Sequence, residues 1–315
     1  EVNGSMRWIR LGPINLQASE VAKFAMVIYL AGYLGRRLSE VRTHWKGVVK
    51  PALPLAGFVL LLILEPDFGA VVVLMGTVMG MIFLGGMKFS QFALVVMGCV
   101  GVIASLAVVQ PYRMARLQTY LDPWSDPYGS GYQLAQAQIA FGRGEWFGTG
   151  LGNSVQKLFY LPEAHTDFVF SVLAEEMGLV SALLVVALYG VLVVRIFRIG
   201  RQAEKLQQFF MAYVAYGFAI MLAGQALINI GVNVGALPTK GLTLPLLSYG
   251  GSSLLVCCVM IALVLRIDYE LKLLRLAGGE SAADTPESGE PAAEKKAVRR
   301  QRGRAADTIE NDSDE

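Results

Sequence analysis

Hydrophobic residues in this chain occur in seven long runs separated by polar segments. Runs of about 20 apolar residues predict membrane-spanning helices, because a helix of that length crosses the ~30 Å hydrocarbon core of a bilayer. The pattern therefore predicts an all-α, polytopic membrane helical bundle. The seven predicted spans are 21–35, 51–65, 69–87, 91–110, 167–195, 209–232 and 243–265.

The polar segments between these runs predict the orientation of the bundle. Lys and Arg residues are concentrated after the first, third, fifth and seventh runs, and short segments rich in these residues face the cytoplasm. The segments 1–20, 111–166 and 233–242 are then on the outer side, where 111–166 is a large extracytoplasmic loop. The second and third runs are separated only by residues 65–69, which indicates a tight outer turn or a broken helix.

Composition supports a membrane protein and adds a second region. The chain is 54% hydrophobic and 17% charged, whereas soluble domains are about one quarter charged. Residues 277–315 are polar and highly charged, so the chain is predicted to consist of a membrane domain, 1–276, and a disordered cytoplasmic tail, 277–315. The three cysteines lie inside apolar runs without metal-ligand spacing. This composition makes a nucleic-acid-binding domain or a secreted disulfide scaffold very improbable.

Polar residues at the ends of the predicted spans are the candidates for chemistry, because a bilayer tolerates them only at a cost. Asp167 stands at the outer end of the fifth span, two residues after His165. A local interpretation is that Thr166 or Asp167 caps the helix. A functional interpretation is that Asp167 is a general base or a metal ligand for an exported, lipid-linked substrate.

Two further pairs of acidic residues have both structural and functional interpretations. Glu175 and Glu176 lie about 12 Å below Asp167 at 1.5 Å per residue, where they need a partner or a wet cavity. Glu65 and Asp67 flank the break between the second and third spans. They are interpreted first as groups that satisfy a turn, with a proton relay as the alternative.

Three amide side chains share one face of the sixth span. Gln225, Asn229 and Asn233 follow one another at intervals of four residues, and they approach a small polar run that contains Ser248. Such amides can simply bind a neighbouring helix. Together with the acidic residues of the fifth span, they favour a shared polar cavity that opens outward.

Several sequence strings resemble the SEDS family. They are NGSMRWIR (3–10), EPDFG (65–69), GLGNS (150–154), LPEAHTDF (161–168), AEEMG (174–178) and PTKGLTLPLLSYGGS (238–252). The strings follow the family's order over nearly all of 3–266. The N-terminal sequence and the polar tail resemble the family's cell-division member more than its elongation member. Family members have about ten spans, so the resemblance implies that N-terminal spans are missing here.

The resemblance implies a peptidoglycan glycosyltransferase that polymerises lipid II and releases undecaprenyl diphosphate. The family's essential aspartate corresponds to Asp167, as a general base or as the ligand of a divalent cation, Mg²⁺ or Mn²⁺; no cofactor is certain. Lipid II has a diphosphate leaving group, which needs positive charge. The candidate diphosphate contacts, chosen by their placement, are Arg7, Arg10, Lys157 and Lys240.

The resemblance also implies partners and a location. The implied partners are a class B penicillin-binding protein that acts as the septal transpeptidase, other divisome membrane proteins and membrane lipid. The implied location is the bacterial inner membrane at the division septum, with the active site facing the periplasm. Two other functions remain open: a lipid II flippase, and a non-catalytic scaffold that activates the penicillin-binding protein.

Overall fold

The computed structural model describes residues 8–11, 14–65, 67–109, 120, 122–129, 131–239 and 241–283. These residues form an all-α bundle with one small hairpin, in which β1 (Trp8–Leu11) pairs with β2 (Ile14–Gln17) in antiparallel register. The helices are α1 (Ala18–Thr43), α2 (Lys46–Leu64), α3 (Phe68–Leu84), α4 (Phe89–Val109), α5 (Tyr132–Gly144), α6 (Val169–Lys205), α7 (Phe209–Asn233) and α8 (Gly251–Ala283).

The predicted all-α membrane bundle is confirmed. Each of the seven predicted spans coincides with one helix, whereas α5 lies in the large outer loop and was not predicted. By length and composition, α2, α6 and α7 can each cross a membrane, and α3 and the Phe89–Gly98 part of α4 are shorter apolar helices. The seventh predicted span corresponds to α8, which begins at Gly251 instead of residue 243, because the Leu244 carbonyl accepts backbone bonds from Leu247 and Ser248 in a preceding turn.

Helix α7 is the central element of the bundle. It packs against α1, α3 and α6, and 67% of its most apolar window is buried, compared with 11% for α6. Phe218 of α7 stacks on Phe24 of α1 with ring centroids 5.6 Å apart. The amide residues Asn229 and Asn233 therefore belong to a well-packed helix.

The turn between α2 and α3 is held by Asp67. Its side chain accepts a hydrogen bond from the Ala70 backbone N–H at 3.1 Å and so caps α3, while Glu65 ends α2. The structure has two separate helices here, so the break is a tight turn and not an interruption within one helix. The start of α3 packs against the segment that precedes α8, since a Cβ on Gly69 would be 2.7 Å from Leu242.

Segments predicted to be on the outer side meet at one end of the bundle. The Gln17 N–H donates to Ser252 Oγ at 2.9 Å, and the hydroxyl of Tyr120 donates to the Ala236 carbonyl at 2.8 Å. At the opposite end of α1, hydrogen bonds from Lys50 and Arg37 hold the pKa of the Glu40 carboxyl below its usual value. These contacts agree with the predicted alternation of the loops.

The chain divides into two compact units, Glu1–Asp268 and Tyr269–Glu315. Everything described below belongs to the first unit. Helix α8 ends at Ala283, and the predicted tail beyond this residue lies outside the described part of the chain.

Candidate active site

A tight turn leads into α6 and carries the predicted catalytic residue. Glu163 adopts a positive φ of 58°, and its carbonyl accepts hydrogen bonds from the backbone N–H groups of Thr166, Asp167 and Phe168. Phe168, and neither Thr166 nor Asp167, occupies the N-cap position of α6, and its side chain makes no capping bond. Asp167 therefore lies on a folded turn just before the helix.

Three consecutive carbonyl groups of this turn accept hydrogen bonds from other parts of the bundle. The carbonyl of His165 accepts from the Tyr249 N–H at 2.9 Å, and that of Thr166 accepts from Ser248 Oγ at 2.5 Å. The carbonyl of Asp167 accepts from Asn229 and Asn233 of α7 at 2.8 and 2.9 Å. We call these four bonds the carbonyl clamp, and they fix the backbone that carries the Asp167 carboxylate.

The donors of the carbonyl clamp are themselves held in place. Asn233 is fully buried, and its Oδ1 accepts hydrogen bonds from the Ser171 N–H and hydroxyl at 3.0 and 2.7 Å. Asn229 also donates to the Leu242 carbonyl at 2.6 Å, and Ser248 Oγ accepts from the Leu244 N–H at 2.7 Å. The clamp thus joins the start of α6, the end of α7 and the segment that precedes α8.

The Asp167 carboxylate is half-buried and lies against Gly241. A Cβ placed on Gly241 would be 3.2 Å from Asp167 Oδ2, so the absence of a side chain allows this close approach. His165 is exposed beside it. Of the predicted diphosphate contacts, Arg7 and Lys240 lie outside the described residues, and only the backbone of Arg10 is described.

Glu175 is buried by a segment of the outer loop. Its Oε2 accepts from Ser154 Oγ at 2.5 Å and from the Gln156 N–H at 3.3 Å. Its Oε1 accepts from the Val155 N–H at 3.2 Å and lies 3.6 Å from Arg143 Nη1. The need for a partner, predicted from the sequence, is therefore met by residues 143–156 of the same chain.

Glu176 binds the same outer-loop segment, and its side chain is more exposed than that of Glu175. Lys157 Nζ lies 2.5 Å from Glu176 Oε1, and the Ser154 N–H donates to that oxygen at 3.4 Å. Lys157 belongs to a short π-helix, Gln156–Tyr160, which leads back to the turn that carries Asp167. The two acids thus attach the returning chain to α6.

Gln225 lies one helical turn from Asn229 on the buried face of α7. Its exposed fraction is 1%, and within the described part of the chain neither its amide nitrogen nor its amide oxygen has a hydrogen-bond partner. The structure therefore places Asn229 on the Asp167 carbonyl and Ser248 on the neighbouring Thr166 carbonyl, whereas Gln225 takes no part in the carbonyl clamp.

Two features near this end of the bundle were missed in the sequence. Arg143 was counted only as a loop charge, although the spacing of α5 places it against Glu175. Glu20 and Lys23 form a buried ion pair at 2.8 Å at the start of α1. The signal that could have revealed this pair is the opposite charge three residues apart at the entrance to an apolar run.

The residues present are compatible with a cation bound partly by substrate. The described residues contain no group of three or more His, Cys, Asp or Glu side chains that could hold a metal ion by themselves. Mg²⁺ commonly binds through one or two carboxylates together with substrate phosphates. A single carboxylate such as Asp167 fits that second type of site.

Comparison with known proteins identifies the family. A family model for FtsW, RodA and SpoVE, described as cell cycle protein, matches residues 1–273. A Hahella chejuensis protein named probable peptidoglycan glycosyltransferase FtsW is 62% identical over 269 residues, which are 85% of this chain and 68% of the relative. The protein of that name from Pseudomonas fluorescens is 63% identical over 273 residues, 86% of this chain and 66% of the relative.

Solved structures show the same fold. A chain from a study of the structural coordination of polymerization and crosslinking by a peptidoglycan synthase complex matches with a TM-score of 0.69 and 34% identity, covering 86% of this chain and 75% of the other. The rod shape determining protein RodA of Thermus thermophilus matches with a TM-score of 0.59 and 32% identity over 86% of this chain and 71% of the other. The chain spans about two thirds of the length of the curated relatives. It belongs to the family of cell cycle proteins that includes FtsW, RodA and SpoVE.

Proposed function

We propose that this chain is the catalytic part of a peptidoglycan glycosyltransferase that polymerises lipid II. Its relatives carry the name of that enzyme at 62–63% identity. The structural observation that carries the proposal is the carbonyl clamp, which fixes the backbone of a half-buried aspartate, and we assign this aspartate to the outer end of the bundle. A transferase needs such a group held in position before its substrate arrives.

The proposed chemistry is a displacement at the anomeric carbon of the donor sugar. The 4-hydroxyl oxygen of the acceptor forms a bond to that carbon, and the carbon–oxygen bond to the diphosphate breaks. Undecaprenyl diphosphate leaves with the bonding electrons. The Asp167 carboxylate takes the hydroxyl proton, which is the work of a general base placed within hydrogen-bonding reach of its substrate.

A divalent cation is the alternative role for Asp167. Mg²⁺ or Mn²⁺ held by Asp167 and the substrate's diphosphate oxygens would neutralise charge on the leaving group. Positively charged side chains do the same without a metal, and we assign this role to Arg7, Arg10, Lys157 and Lys240. Lys157 is already paired with Glu176, so it is the least available of the four.

We further propose that the protein works in the bacterial inner membrane at the septum, with Asp167 on the periplasmic side and the tail in the cytoplasm. The lipid II polymer would then form on the side where a class B penicillin-binding protein cross-links it. The support is that a matched structure comes from a peptidoglycan synthase complex in which polymerization and crosslinking are coordinated.

The test uses the full-length protein, purified with its penicillin-binding partner and supplied with lipid II in detergent. We expect wild type to make glycan strands and Asp167→Ala to make none, because the base is lost. A general base contributes about 10²–10⁴-fold to a rate, so Asp167→Asn should show a loss within that range. The measurement is the length and amount of strands on a gel.

Asp122→Asn is the matched control, since Asp122 is an exposed outer-loop aspartate away from the carbonyl clamp and should leave synthesis unchanged. A flippase or a scaffold would make no strands in detergent without another polymerase. The proposal is wrong if wild type makes none, or if Asp167→Ala makes as many strands as wild type. A loss rescued by raised Mn²⁺ in Asp167→Asn would favour the cation role over the base.

A further inference from the structure

Helix α6 has two parts with different surroundings on either side of Gly178. The first part is covered by α5: the rings of Phe141 and Phe170 are 5.9 Å apart, and Gly144 packs against Ala174. The second part is uncharged from Leu179 to Val194 and its large apolar side chains are exposed, for example Leu183 at 57% and Leu188 at 59%. An apolar and exposed helix surface of this kind faces lipid.

The length of the second part indicates where the bilayer begins. From Leu179 to Arg198 the helix is about 30 Å long at 1.5 Å per residue, which matches the hydrocarbon core of a bilayer. Arg195 and Arg198 are then at the inner surface, where long basic side chains extend towards the headgroups. This length would put the outer boundary of the hydrocarbon core near Gly178.

A turn of the outer loop is docked at this level. Helix α5 ends at Gly144, and the next residues reverse the direction of the chain against the break in α6. The N–H groups of Leu179 and Val180 donate to the carbonyls of Glu145 and Trp146 at 2.9 and 3.2 Å. The turn is therefore the innermost point of a segment that enters along α6 and returns outward.

Large apolar side chains on and just after this turn are unusually exposed. Trp146 is 64% exposed, Phe147 is 84% exposed and Leu151 is 76% exposed. We call these three residues the interfacial tip. Charged side chains flank the tip, because Arg143 and Glu145 are both exposed. Apolar side chains bordered by charges, with a tryptophan among them, are typical of the boundary between headgroups and acyl chains.

We propose that the interfacial tip inserts into the outer leaflet of the membrane and anchors the outer loop there. Arg143 is paired with Glu175 on one side and its side chain is 43% exposed on the other, so an inserted tip would bring this charge to the level of the lipid phosphates. Because the docked turn is also bonded to α6, the anchor fixes the height of Asp167 above the bilayer. The nine helical steps of 1.5 Å that separate Val169 from Gly178 correspond to about 14 Å. The anchor is independent of the proposed glycosyl transfer.

The test measures how deep two tryptophans lie. Full-length protein variants that retain only Trp146 or only Trp124 are reconstituted in phosphatidylethanolamine–phosphatidylglycerol vesicles, with or without brominated acyl chains. Trp124 is the matched control, since it is 55% exposed and lies in the turn before α5, at the other end of that helix. We expect quenching by the brominated lipid to be several-fold stronger for Trp146 than for Trp124.

Equal or weaker quenching of Trp146 would overturn the proposal. So would a Trp146 that aqueous iodide quenches until the penicillin-binding partner is added, because the tip would then be a protein interface. If the single-tryptophan proteins do not fold, Trp146→Phe and Trp124→Phe in the otherwise native protein give the same comparison by difference. The measurement needs no lipid II, so its outcome does not depend on whether the chain polymerises glycan.

Discussion

Asn233 is one residue that joins two helices and the candidate catalytic turn. Its side-chain nitrogen donates to the carbonyl of Asp167, and its side-chain oxygen accepts two bonds from Ser171. Because the amide has a donor on one side and an acceptor on the other, no other side chain of this size satisfies both groups. Asn233 therefore supports the carboxylate without needing to touch a substrate.

Asn233→Ala should weaken both the fold and the reaction. It leaves the buried groups of Ser171 and Asp167 short of partners, which costs about 1–3 kcal/mol. We expect a lower unfolding temperature and a lower kcat for strand synthesis, with a smaller change in KM. Asn153→Ala is the control, since Asn153 is exposed and its side chain donates to the Thr149 carbonyl of the same loop. If the two variants unfold and react alike, Asn233 has no special role.

The sequence predicted which residues of the site share a helix face, but it did not predict their hydrogen-bond partners. The four-residue spacing of Gln225, Asn229 and Asn233 correctly placed them on one face of α7 near the Asp167 turn. Asn229 and Asn233 donate to the main-chain carbonyl of Asp167, and a residue pattern carries no information about such bonds. The partners of Glu175 were also unpredictable, because Ser154 and Arg143 reach it only through the fold of the outer loop.

At the scale of the element, the break in α6 is held by backbone hydrogen bonds in both directions between this helix and the loop after α5. Leu179 and Val180 donate to the turn after α5, and in return Thr149 and Gly150 donate to the carbonyls of Glu175 and Glu176, both at 3.0 Å. Gly178 makes this exchange possible with a φ of 76°, a conformation that glycine adopts without strain. The backbone groups freed by the break are thus satisfied.

Gly178→Ala should disrupt this exchange. A Cβ at Gly178 would lie 2.5 Å from the backbone nitrogens of Phe147 and Gly148, and the positive φ adds strain of about 1–3 kcal/mol. We expect a lower unfolding temperature and faster proteolysis of the outer loop. Gly190→Ala, in the same helix, meets nothing within 4 Å and should be neutral or slightly stabilising. Equal stability of the two variants would contradict this account.

Hydrophobic periodicity predicted the spanning elements well and the outer loop poorly. The spans near α6 and α7 were located because their apolar runs are long and uninterrupted. Helix α5 was missed because its 13 residues mix Gln, Arg and Gly with apolar side chains and form no run of spanning length. Its helical state depends on packing against α6, which is a tertiary effect that local sequence does not encode.

At the scale of the whole molecule, the bundle is organised around close contacts of α7. Gly217 allows α1 and α3 to approach together, since a Cβ there would be 2.4 Å from Val27 and 2.8 Å from Met81. Small residues at helix crossings are the usual means of close packing in membranes. Hydropathy cannot distinguish this central helix from a peripheral one, because both are apolar over their whole length.

Gly217→Ala should therefore loosen the bundle. Overpacking of this kind costs about 1–3 kcal/mol, and we expect a lower unfolding temperature in detergent together with reduced yield. Gly224→Ala lies on the same helix with nothing within 4 Å, so it should unfold at the wild-type temperature. If both variants are equally stable, the three helices are not in the close contact described above.

The carbonyl clamp has a consequence for how this family can vary. Its bonds are made to main-chain oxygen atoms of residues 165–167, so they do not depend on the side chains of His165 or Thr166. Substitution of those two side chains should therefore leave the backbone position of the aspartate unchanged. Ser248, Asn229 and Asn233 donate through their side chains and have no such freedom, so tolerance to substitution is concentrated on the turn that accepts the bonds.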